Sequence, residues 1–69
     1  MNRTPVSSSN IASIGYDSGS STLEVEFIGG SVYQYFDVPE GVYVEFMRAG
    51  SKGQFFHANI KDTYRYSKV

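Results

Sequence analysis

The chain has 69 residues, no cysteine, one histidine and a net charge of −1. That length holds one domain, the absence of cysteine excludes disulfides and thiolate metal sites, and a lone His57 would leave zinc to carboxylates. Six Tyr and five Phe, with no Trp, supply the large rings that a core needs when folding hides only about 60% of the unfolded surface.

Residues 1–9 are polar, hold Pro5 and a serine run, and read as a flexible segment ahead of one domain over 10–69. In "IASIGYD" Ala12, Ile14 and Tyr16 share one strand face, with Ser13 and Gly15 on the other. "SGSS" at 18–21 is a loop, and "TLEVEFI" alternates again, with Leu23, Val25 and Phe27 inward and Glu24 and Glu26 outward. Gly29-Gly30 suits a two-residue hairpin turn, and "SVYQYF" is the third strand. That turn sets Phe27 opposite Val32, Val25 opposite Gln34 and Leu23 opposite Phe36, leaving Tyr33 and Tyr35 beside Glu26 and Glu24 on the outer face. On this reading a slip of one residue brings both glutamates into the core. The first strand lays Tyr16 and Ile14 beside Leu23 and Val25.

Pro39 ends the strands and suits a helix start; Val42, Tyr43, Phe46, Met47 and Ala49 then form one helical stripe, with Gly50 placed as a C-cap. Ser51 and Gln54 have capping-box spacing, so a second helix begins there and carries Phe56 and Ile60 four apart. "DTYRYSKV" is a short C-terminal strand or an ordered tail. The fold expected is α+β: a three-stranded antiparallel meander packed against two C-terminal helices, with Phe46, Phe56 and Ile60 on Leu23, Val25 and Phe27.

The chain has no phosphate-binding glycine motif, and its glycines sit at turns and caps. Glu24 and Glu26 could stand as an acid/base pair, but solubility on an exposed face outweighs catalysis. His57 lacks any spacing that marks a nucleophile beside it, and reads as a surface or half-buried side chain. No enzyme, cofactor or metal is expected. The charges are uneven: residues 1–45 set Arg3 against six acids, net −5, while residues 46–69 set five cations against Asp62, net +4. Tyr64-Arg65-Tyr66 lies in that basic third and echoes Tyr33-Gln34-Tyr35. Rings beside Lys and Arg suit a single-stranded nucleic acid, although tyrosines equally stabilise sheets.

The ordered series "SSNIASIGYD", "LEVEF", a turn glycine, "VYQY", "VP", then Ala49, Ser51, Gly53, Phe56 and Ile60 resembles the KTSC domain over about residues 6–66. That family is named for the C-terminus of some lysyl-tRNA synthetases and also occurs as a free-standing bacterial protein. Its central Y-x-Y maps onto Tyr33 and Tyr35, while Asp37 departs from the smaller residue expected before Val-Pro. The resemblance implies no catalytic residue, and attachment to a synthetase implies RNA. The reading is therefore a cytoplasmic, non-catalytic module for RNA or single-stranded DNA, without a membrane span. Its binding residues would be Tyr33, Tyr35, Lys52, Lys61, Tyr64, Arg65, Tyr66 and Lys68. The alternative is a protein-interaction or self-association module, engaged through an exposed strand edge.

Overall fold

The computed structural model describes residues 1–69. It contains β1 (Thr4–Pro5), β2 (Ile11–Asp17), β3 (Thr22–Phe27), β4 (Val32–Tyr35), α1 (Glu40–Arg48), α2 (Lys52–Asn59) and β5 (Tyr66–Lys68). The strands form one antiparallel sheet in the order β1-β2-β3-β4-β5, so both helices are inserted between β4 and its neighbour β5. The fold is α+β: β2, β3 and β4 are the expected three-stranded meander, the C-terminal segment is the short strand β5 rather than a tail, and Thr4–Pro5 adds a fifth strand that was not expected. The helices cover one sheet face, and Ile11, Ile14, Leu23, Val25, Tyr35, Val38, Phe46, Phe56 and Ile60 form the core between them. No helix is long and apolar enough to cross a membrane.

The sheet departs from strict alternation once in β2. Ile11 pairs with Phe27, but Ser13 pairs with Glu26, so Ala12 is an extra residue between them. That bulge turns Ile11 onto the same buried face as Ile14, while Ser13 and Gly15 keep to the other. From Ser13 onward the pairing follows the sequence pattern, with Ile14 opposite Val25 and Tyr16 opposite Leu23.

The hairpin between β3 and β4 corrects the expected register. The Phe27 N–H donates to the Ser31 carbonyl at 2.8 Å and the Gly30 N–H to the Phe27 carbonyl at 3.0 Å, so the loop is Ile28-Gly29-Gly30. Gly29 and Gly30 take φ values of 109° and 105°, where a side chain is strained. One more loop residue moves every partner by one: Val25 pairs with Tyr33 and Leu23 with Tyr35, while Glu24 meets Gln34. Tyr33 and Tyr35 thus lie on the core side, and the two glutamates stay on the other. A slip changes which face β4 presents and leaves β3 alone, so the glutamates were never at stake. What decides the register is burial of the Tyr35 ring and half-burial of the Tyr33 ring in place of Gln34, whose amide then reaches Glu24 at 2.8 Å.

α1 follows from Pro39 at its N-cap and from the stripe that buries Phe46 and half-buries Val42, Tyr43 and Met47. It ends at an extended Ala49 rather than through a left-handed Gly50, and the Lys52 ammonium donates to the Ala49 carbonyl instead. Ser51 caps α2 by accepting from the Gln54 N–H. Phe56 stands 5.3 Å from Phe27, ring centre to ring centre, at the meeting of helix and sheet. His57 is exposed. Asp37, the departure from the family pattern, has φ 58°, a left-handed turn that favours glycine and that aspartate tolerates.

Candidate nucleic-acid interface

β5 returns beside β4 with Tyr66 opposite Tyr35 and Lys68 opposite Tyr33. Cross-strand partners share a face, so these four residues stand together on the helix side of the sheet. Beyond the last turn of α2, Lys61 and Asp62 close the space, giving a cavity of about 410 Å³ lined also by Phe27, Ser31, Tyr33, Tyr35, Phe56 and Tyr66.

The rings pack on one another in series. Phe27 meets Tyr33 edge-on at 5.8 Å, Tyr35 meets Phe56 edge-on at 5.5 Å, and Tyr66 lies tilted at 5.9 Å from Tyr33 and 5.8 Å from Tyr35. Exposure grades outward, from Tyr35 at 4% to Tyr66 at 60%. The central pair is therefore partly covered by the C-terminal segment, through Tyr66 rather than Tyr64. Burial, reinforced by the neighbouring Tyr33 and Tyr66 phenols, pushes the Tyr35 hydroxyl up to about 12, so at neutral pH it is a proton donor.

Of the eight residues singled out in the sequence, Tyr33, Tyr35, Lys61 and Tyr66 line this cavity and Lys68 shares its face. The other three lie elsewhere. Lys52 caps α1. Arg65 sits over the Phe36 ring at 5.6 Å and donates to the Asp37 carboxylate at 2.8 Å. Tyr64 lines a second hollow, of about 430 Å³, with Val42, Glu45 and Phe55. Phe27, Ser31, Phe56 and Asp62 line the tyrosine cavity without having been foreseen there. Asp62 had one legible signal, as the single acid in the basic third of the chain.

The opposite sheet face is built from polar groups. Glu24, 7% exposed, accepts from Arg3 and from the Gln34 amide, and Ser13 donates to Glu26 at 2.7 Å while accepting from Arg3 at 3.0 Å. The Gln34 hydrogen bond, with Arg3 beside it, holds the Glu24 carboxyl below the usual carboxylate range against the opposing pull of burial. Glu24 is thus an internal anchor for the N-terminal segment, not an exposed solubilising charge. Gly15 permits the approach, since a Cβ there would stand 2.7 Å from the Asn2 carbonyl oxygen. No group of three or more His, Cys, Asp or Glu side chains is placed to hold a metal ion.

Residues 7–69 match the KTSC domain. The chain belongs to the KTSC domain family. The crystal structure of a KTSC domain protein from Yersinia pestis superposes with a TM-score of 0.94 at 48% identity, covering 99% of this chain and 96% of that one. A protein of Stutzerimonas stutzeri is 39% identical across 100% of this chain and 99% of its own length. A lysine–tRNA ligase of Trichormus variabilis is 48% identical over 54 residues, which are 78% of this chain but 10% of the ligase. This KTSC domain therefore corresponds to about a tenth of the ligases it resembles.

Proposed function

We propose that this KTSC domain is a non-catalytic, cytoplasmic module that binds single-stranded nucleic acid, RNA or DNA, at the cavity between β5 and the end of α2. The observation that carries the reading is the placement of Tyr33, Tyr35 and Tyr66 with Lys61 and Lys68 on one face. A base stacked on a protein ring gains about 1–3 kcal/mol whatever its sequence, and the exposed Tyr66 ring is the surface for it. Lys61 and Lys68 form no ion pair within the chain and are free to meet phosphates. The likeness to enzymes named for tRNA agrees with an RNA ligand.

Titration of labelled RNA and DNA octamers at two salt concentrations tests the reading. Two phosphate contacts to a single strand lower affinity about seven-fold between roughly 50 and 200 mM salt. Tyr66→Ala should weaken binding while leaving the fold intact. Binding that ignores salt, or no binding at all, would overturn the proposal in favour of a protein partner.

A further inference from the structure

The cavity holds polar groups that the fold itself does not use. Every fully buried side-chain nitrogen or oxygen in the protein has a hydrogen-bond partner. The Tyr35 hydroxyl has none, although the residue as a whole is only 4% exposed, so the oxygen opens into the cavity that the residue lines. Asp62, which lines the cavity from beyond the end of α2, forms neither an ion pair nor a side-chain hydrogen bond, in contrast to Glu24, Glu26 and Asp37. The aromatic cavity therefore presents a hydroxyl that donates and a carboxylate that only accepts.

These two groups discriminate among bases. A carboxylate is best met by two adjacent N–H donors, one for each oxygen. Guanine offers that pair on its Watson–Crick edge, N1–H and the N2 amine, next to the O6 acceptor. Adenine and cytosine set a ring-nitrogen acceptor beside their single amine, which would face the carboxylate lone pairs. Uracil has one N–H between two carbonyls. We propose that the cavity selects an unpaired guanine, with Asp62 accepting from its N1–H and N2 amine, Tyr35 donating to O6, and Tyr66 covering the ring. Lys61 and Lys68 serve the flanking phosphates and take no part in the choice of base.

This inference rests on the nucleic-acid reading, and one experiment separates the two. Fluorescence anisotropy of the full chain is measured against uridine octamers that differ only at one central position, carrying G, inosine, A, C or U. The guanine octamer should bind about ten-fold more tightly than the adenine one, the scale of a bidentate base contact. Inosine, which lacks the N2 amine, should fall between them. Asp62→Asn should abolish the preference, bringing the guanine and adenine octamers to equal affinity. Lys61→Ala should weaken all five octamers by a common factor. Equal binding of the five overturns guanine selection and leaves the nucleic-acid reading standing, whereas binding of none overturns both. A guanine preference that survives Asp62→Asn overturns the role given to the carboxylate.

Discussion

Glu24 and Tyr35 lie on opposite faces of one sheet, one strand apart, and both are almost out of solvent. The glutamate has its needs met inside the chain, by Arg3 on one oxygen and Gln34 on the other. The tyrosine hydroxyl has no such partner. The consequences run in opposite directions: hydrogen bonds and the guanidinium hold Glu24 ionised, while burial holds Tyr35 protonated. A polar group that is buried and satisfied contributes to the fold, because losing a partner leaves it desolvated with nothing in return. One that borders a cavity and is unsatisfied adds little to stability and is available to a ligand. The polar face of the sheet is thus a structural device, and the aromatic end is where this KTSC domain keeps polar groups that its own fold does not use.

The hardest blow to that contrast falls beneath the cavity, at Phe56, whose ring meets Tyr35 and Phe27 on the cavity side and Phe46 in the core. Phe56→Ala should cost about 3–5 kcal/mol, enough to unfold so small a domain, as followed by circular dichroism. A folded variant would mean that the aromatic end carries no structural weight.

Next comes Arg3. Arg3→Ala leaves one Glu24 oxygen without its partner and should cost about 1–3 kcal/mol in a urea titration. Adding Glu24→Gln to that variant should recover part of the loss, since no buried charge then lacks a counter-ion. If Arg3→Ala melts like the parent protein, the polar face is not the anchor described.

The smallest effects lie in pH and sharpen the contrast at both limits. Glu24 has a folded-state pKa below its ordinary 4.5, so its contribution is full above pH 4.5 and is lost as pH falls through the lower, folded value. Tyr35 has a folded-state pKa raised from 10.0 to about 12, so its contribution is full below pH 10 and is lost as pH rises from there to 12. Melting temperatures across pH should show both limbs, with Glu24→Gln flattening the acid one and Tyr35→Phe the alkaline one. At neutral pH Tyr35→Phe should change stability by no more than about 0.5 kcal/mol, because the hydroxyl has no partner to lose. A large loss there would reveal a structural hydrogen bond and remove Tyr35 from the proposed base contact.

Much of this was legible in the residues themselves. Alternation in "TLEVEF" placed Leu23 and Val25 inward, Pro39 and Ser51 marked two helix starts, and Phe46, Phe56 and Ile60 were identified as their buried side chains. Those features rest on neighbours within one or two turns, where periodicity and capping act. The order of motifs likewise carried the family resemblance. The face of β4 was not legible, because Val32, Gln34 and Phe36 form as acceptable a stripe as Tyr33 and Tyr35. Only a third loop residue at Ile28 and the packing of Tyr35, with the half-buried Tyr33, against the core chose between them. Nor was the Arg3–Glu24 contact legible, since nothing local to Thr4 and Pro5 announces a strand. The cavity is the furthest from sequence, being assembled from the ends of β3, β4, α2 and β5. Local pattern determines the helices and the central strands; the edge strand β1, and which of two amphipathic faces becomes the inside, depend on what the rest of the chain lays against them.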